Sequence, residues 1–239
     1  MNFFVELYNQ ILYKPIVNLI IWFNQILPGN DFGLAMIAVT IVIKIILLPL
    51  EIKSLQMQKS LRKIQKQLDD IQKNQKTSKE EQAQAMMAVY QKEGVNPFAS
   101  IGVVFLQLPF LLAVIQAINY FGKIFSGETF DPGLLYKFIP APGSLNPMFL
   151  GLVNLSRPSW VLAVLVSILQ LAIMLNAPGT TPAKKPEEIM QRNMNVVFAG
   201  FMLVILLNTP AFLGLYFFVS LIITFAQQKF INKKYGTST

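Results

Sequence analysis

Ten polar side chains interrupt the apolar runs of this chain: Thr40, Lys44, Gln107, Gln116, Asn119, Ser167, Gln170, Ser220, Thr224 and Gln227. Amides, hydroxyls and one ammonium can exchange hydrogen bonds and hold a positive charge, but they cannot pair a nucleophile with its base. The chain has no histidine and no cysteine, which removes imidazole acid–base chemistry, thiolate zinc sites and disulfides. No Gly-x-Ser-x-Gly turn and no pair of intramembrane aspartates replaces them. The residues therefore argue against an enzyme, and no cofactor or metal is expected.

Taken singly, each polar residue suits an interhelical hydrogen bond worth about 0.6 kcal/mol. Together they point to a wet cavity, because the apolar run from Gly33 to Leu50 contains one cation and no Asp or Glu to neutralise it. Lys44 lies in the apolar run from Gly33 to Leu50. At about 1.5 Å per residue that run crosses most of a hydrocarbon layer roughly 30 Å thick. A charge near the bilayer centre costs on the order of 2.5–3.5 kcal/mol, so such residues usually face water, a partner or a cavity. The other reading is snorkelling: Lys44 precedes Leu50 by about 9 Å of helix, and its stem can lift the ammonium towards the nearer interface.

The chain is 239 residues long, 54% hydrophobic and 13% charged, a composition that fits an all-α polytopic membrane protein. Of residues 1–30, the first 28 resemble a signal peptide at first sight, but Asn9, Gln10, Lys14, Pro15 and Asn18 break the apolar core and no small-residue cleavage site follows. They are expected to form an interfacial amphipathic helix: Ile16, Ile20, Phe23 and Leu27 make an apolar stripe, Asn18 and Gln25 mark a wetter side, and Trp22 suits the headgroup boundary. An irregular first transmembrane helix is the alternative.

The first span is expected over 31–50. Residues 51–97 are polar and lysine-rich, and form a helical hairpin: Leu61, Ile64, Leu68 and Ile71 recur at seam spacing, and Thr77 with Glu80 matches a capping box. The second arm carries Ala83, Met86, Met87 and Tyr90 on its inner side and ends at Gly94. Such a hairpin looks too small to have its own core. The second span is expected over 98–121, through Gln107-Leu108-Pro109, followed by a Gly- and Pro-rich connection with short helices over 122–158. Further spans are expected over 159–176, 190–207 and 211–230, with a loop at 177–189, a tight return at Asn208-Thr209-Pro210 and a tail at 231–239.

Of the twenty Lys and Arg, fifteen fall in the 51–97 excursion, the 177–193 region and the residues from Lys229 onwards. Only Lys14, Lys123, Lys137 and Arg157 fall on the opposite side. The positive-inside tendency places the hairpin, the second loop and the C-terminus in the cytoplasm and the N-terminus outside. Lys53, Lys59, Arg62, Lys63 and Lys66 make a basic face that either stays solvated or touches anionic lipid or ribosomal RNA.

The order of elements, together with Thr40-Ile41-Val42-Ile43-Lys44-Ile45-Ile46-Leu47-Leu48-Pro49-Leu50, resembles the YidC/Oxa/Alb family of membrane protein insertases. Gly94-Val95-Asn96-Pro97 followed by Leu106-Gln107-Leu108-Pro109, and Leu215-Tyr216-Phe217-Phe218-Val219-Ser220 followed by Gln227-Gln228, are similar to other parts of that family. The resemblance runs from about Leu7 to Ile231.

It implies five transmembrane helices around a hydrophilic groove open to the cytoplasm and to lipid and closed outside, with a cytoplasmic hairpin that receives substrates. Lys44 falls where the family typically has an arginine, which keeps the charge but loses the planar fork for bidentate carboxylate binding. Thr40, Gln107, Gln170, Tyr216, Ser220, Thr224 and Gln227 are the other expected groove residues. The resemblance also implies insertion of nascent membrane proteins into the phospholipid bilayer without nucleotide hydrolysis, with ribosome and Sec translocon as expected partners and no DNA.

The chain lacks a large external domain, a long ribosome-binding extension and a transit peptide, so the bacterial plasma membrane is the expected location. A small transporter or channel is the main rival. Against it stand the lack of an inverted repeat and of an intramembrane acid for ion coupling. An intramembrane protease lacks its catalytic residues, and a purely structural scaffold leaves Lys44 unexplained.

Overall fold

The structure is a computed structural model that describes residues 3–73, 78–96, 99–143, 145–175 and 186–235. Thr77, Pro97, most of the 177–189 loop and residues 236–239 lie outside the described residues, as do the side chains of Lys59, Arg62 and Gln107. The fold is almost entirely helical: α1 (Phe3–Tyr8), α2 (Lys14–Ile26), α3 (Phe32–Lys73), α4 (Lys79–Lys92), α5 (Ala99–Phe125), α6 (Trp160–Leu175), α7 (Pro186–Leu207) and α8 (Ala211–Tyr235). Two compact units share these helices, one made by Met1–Ile46 and Leu108–Ala226, the other by Leu47–Gln107 and Gln227–Thr239.

Three stretches are long and apolar enough to cross a membrane: Phe32–Ser54, Leu108–Phe125 and Ala211–Phe230. Trp160–Met174 and Val196–Leu207 are shorter apolar helices, and α6 packs against α7. The first of these stretches corrects the expected one. Pro49 does not stop α3: a proline inside a helix removes one hydrogen bond, which a membrane helix tolerates where neighbouring groups re-satisfy the freed carbonyl. The apolar stretch therefore continues to Ser54 and includes Glu51, so a stretch long enough to cross a membrane does contain an acid.

In the first unit, α1 passes through a π-helical stretch, Asn9–Tyr13, into α2. Ile16 and Ile20 are buried on α2, but so are Asn18 and Asn24, which corrects the expectation of a wetter side. Asn18 Nδ2 donates to Lys14 O at 2.7 Å and Leu134 O at 2.8 Å, and its Oδ1 accepts from Tyr136 N at 2.7 Å. Gln25 Nε2 donates to Pro140 O at 2.8 Å. Both amides bind the backbone of the 130–140 segment, and for Asn18 those hydrogen bonds match its burial. In the segment beside them, Tyr13 is buried, and burial, helped by Tyr120, Tyr8 and Asp131, pushes its phenol up to about 12.

The connection between α5 and α6 differs from expectation. It holds a short 3-10 turn at Pro132–Leu134 and a two-stranded antiparallel hairpin, β1 (Met148–Phe149) and β2 (Val153–Asn154), in which Met148 pairs with Asn154 and Phe149 with Val153. Its Gly- and Pro-rich composition favours turns over helical propagation. At the same end of the unit Phe32, fully buried, meets Phe121, Phe125 and Phe212 at ring-centroid distances of 4.7, 5.2 and 4.8 Å. Edge-to-face pairs of this kind add about 0.5–1.5 kcal/mol each beyond burial.

In the second unit Ile64, Leu68 and Val95 are buried, with Met57, Leu61, Met86, Val89 and Tyr90 packed around them. This small cluster corrects the expectation that the 51–97 segment has no core of its own. Val89 takes the inner position expected of Met87, which is exposed, as is Ala83. The capping box is Ser78 with Glu81, one residue beyond the expected pair: Ser78 N donates to Glu81 Oε2 at 2.9 Å and Glu81 N to Ser78 Oγ at 3.2 Å. Both pairs satisfy the spacing, and serine ranks above threonine as a helix cap. Gly94, at φ 63°, ends the arm, with Val95 N donating to Tyr90 O at 2.9 Å; this left-handed turn is what glycine supplies at a helix C-terminus.

Candidate functional site

Lys44 is 5% exposed. Its Nζ donates to Thr224 Oγ1 at 3.0 Å, joining α3 to α8 across 180 residues of sequence. The ammonium thus turns to a neighbouring helix and does not snorkel along its own. The Thr224 hydroxyl donates to Ser220 O at 2.9 Å. A helical threonine that spends its proton on the carbonyl one turn back presents its oxygen lone pairs sideways, so it is fit to accept from a cation.

Tyr216, Ser220 and Thr224 recur every fourth residue and share one face of α8, with Tyr216 and Ser220 buried. Thr40 lies one turn before Lys44 on α3, 1% exposed, and its Oγ1 donates to Met36 O at 2.7 Å. Ser167, buried on α6, likewise donates to Ala163 O at 2.8 Å. Gln170 is partly buried on the same helix. Thus the Lys44 cation is held inside the first unit against a hydroxyl oxygen of α8. Among the described residues, no group of three or more His, Cys, Asp or Glu could hold a metal ion.

The other expected residues stand apart from this arrangement. Gln116 and Asn119 are on the exposed side of α5. Gln227 belongs to the second unit, and its Oε1 is buried. Of the basic face, Lys53, Lys63 and Lys66 are exposed on α3.

Three residues escaped the sequence analysis. Glu51 follows Lys44 by two helical turns, and its Oε2 is shielded from water; ending the span at Pro49 hid it. Asn18 looked like a surface amide. Asp31, 6% exposed, accepts from Gly33 N at 2.8 Å and Leu34 N at 3.1 Å through Oδ1, and from Leu150 N at 2.6 Å through Oδ2. An aspartate directly before an apolar helix is a recognisable N-cap signal. Beside it a Cβ on Gly33 would come within 2.4 Å of Phe149 Cδ2, so glycine is what lets β1 lie over the start of α3.

Residues 22–238 match the 60Kd inner membrane protein family. A membrane protein insertase YidC of Fusobacterium nucleatum is 35% identical over 208 residues, which cover 86% of this chain and 88% of that protein. One from Clostridium tetani is 31% identical over 172 residues, covering 71% and 69% respectively. The membrane protein insertase YidC 2 of Bacillus anthracis is 30% identical over 232 residues, covering 95% and 81%.

Proposed function

The chain belongs to the 60Kd inner membrane protein family and is a membrane protein insertase, and from that premise we propose that insertion works by solvating the polar tail of a client at Lys44. The observation that carries this reading is the Lys44–Thr224 contact: a buried cation that donates to a hydroxyl of a second apolar helix. A client tail that leaves water loses hydration, and the Lys44 ammonium with the Thr224 hydroxyl, joined in this proposal by Thr40, Ser220, Tyr216 and Gln170 as groove residues, replaces part of it, most effectively for an acidic tail. The client's hydrophobic segment then leaves sideways into lipid, where burial of about twenty apolar residues drives the process.

The chemistry needs no nucleotide, because solvation and lipid partition supply the driving force. Five spans around a groove, with the N-terminus outside and the C-terminus in the cytoplasm of a bacterial cell, fit the fifteen-to-four distribution of basic residues. The short α6, 16 residues long, spans about 24 Å and suits a locally thinned bilayer. The α3–α4 segment, with Lys53, Lys63 and Lys66 exposed, is the proposed receiving element for clients from the ribosome or the Sec translocon.

Reconstitution tests the reading. The full-length protein, alone in liposomes without ATP or GTP, is expected to insert a single-span client to a protease-protected state. Insertion that requires nucleotide would contradict it, as would solute flux through the protein without any insertion.

A further inference from the structure

The β1–β2 turn is built against the usual chemistry of such turns. Leu152 N donates to Phe149 O at 2.9 Å, and the two residues between them have positive φ, 50° at Leu150 and 71° at Gly151. Turns with positive φ at both central residues favour Asn, Asp or Gly at the first, because a Cβ crowds the backbone there and a short polar side chain offsets this with a local hydrogen bond. Among the described residues the only other non-glycine with positive φ is Asn30, a residue type that tolerates it. Yet the turn carries leucine at that position, 58% exposed, and a second leucine, Leu152, 82% exposed. Asparagine at 150 would relieve the backbone and suit water better, so the leucine must gain from an apolar surrounding outside the chain.

The level of the turn says which surrounding. Asp31 holds Leu150 N at 2.6 Å and caps α3 at Gly33, where the apolar stretch from Phe32 begins. Arg157 O and Leu155 O accept from Ala211 N at 3.0 Å and Phe212 N at 3.1 Å, where the Ala211–Phe230 stretch begins. The segment bearing the turn is thus latched to the ends of two membrane-crossing helices and stands at the hydrocarbon boundary. Trp160, 70% exposed, opens α6 at the end of that segment, and Val161, Leu165 and Ile168 continue an exposed apolar strip along the helix. We propose that the Leu150–Leu152 turn is a lipid anchor, its two leucines entering the acyl chains of the leaflet at this end of the bundle and fixing the depth of α3 and α8.

The absence of native cysteine allows a direct test. Full-length protein carrying Leu152→Cys is labelled with an environment-sensitive fluorophore and reconstituted in phosphatidylcholine–phosphatidylglycerol vesicles, with label at exposed Glu128→Cys as the aqueous control. The anchor predicts blue-shifted emission at 152, quenching by lipids that carry a nitroxide high on the acyl chain, and protection from aqueous iodide. Adding Leu150→Asn, which suits the turn and keeps the fold, should bring lipid quenching at 152 down towards the control. Water-like emission with iodide quenching equal to that at 128 would overturn the proposal. Shielding that appears only when a second membrane protein is co-reconstituted would overturn it in favour of a protein partner.

Discussion

A lysine buried at 5% exposure in an apolar bundle has to be held there. Thr224 Oγ1, at 3.0 Å, is a holder on a second helix. Thr224→Val keeps the shape and removes the acceptor, so it should destabilise the protein by about 1–3 kcal/mol, the usual range for a lost bond to a charged group, while Thr224→Ser should be nearly silent; thermal unfolding in detergent checks both. Asp31 behaves differently because its two oxygens do two jobs. Asp31→Asn can keep the α3 cap through Oδ1 but turns an N–H towards Leu150 N, whereas Asp31→Ala loses cap and acceptor together at about 2 kcal/mol or more. Faster hydrogen exchange at Leu150 in both variants, with exchange at Leu34 faster only in Ala, is the expected pattern. Lys44, Ser220 and Thr224 were legible in the sequence because a polar side chain in an apolar run is conspicuous. Asn18 and Asp31 were not, since both lie next to turns where an amide or carboxylate looks ordinary, and only the backbone brought by a distant segment explains their burial.

Among the elements, the helices were legible and their joints were not. Apolar period and length reveal α5, α6 and α8, but nothing local shows that α3 continues through Pro49 to Lys73, because proline usually ends a helix and here costs one carbonyl partner. That misplaced end concealed Glu51. Overlapping matches at Thr77–Glu80 and Ser78–Glu81 left the capping register open by one residue, and the β hairpin was illegible because each strand has two residues. The α3–α4 pairing rests on few side chains, with Ile64 and Leu68 at its centre. Leu68→Ala should cost on the order of 2–3 kcal/mol, near the lower end for such truncations because a small cluster can close around the gap. Hydrogen exchange along α4 should quicken while that of α2 stays unchanged; equal quickening in both would contradict a separate cluster. Gly33→Ala should displace β1, since the added methyl meets Phe149 at 2.4 Å and Leu155 at 2.9 Å; loss of the Leu150 amide's exchange protection would report it.

At the scale of the molecule, the proposed function joins charge distribution and buried charge in one process: a basic face to receive, a cation to solvate, and lipid to accept. Replacing Lys53, Lys59, Arg62, Lys63 and Lys66 with glutamine should weaken ribosome co-sedimentation and flatten its salt dependence; unchanged co-sedimentation would leave these residues a solvated face. The most direct test of the central claim is insertion of a single-span client with an acidic tail into liposomes that contain only this protein, comparing wild type with Lys44→Arg, Lys44→Ala and Lys44→Glu. Arg is expected to preserve insertion, Ala to weaken it and Glu to abolish it, while a client with a neutral tail is indifferent to the series. Equal insertion of the acidic client by all four proteins would contradict it.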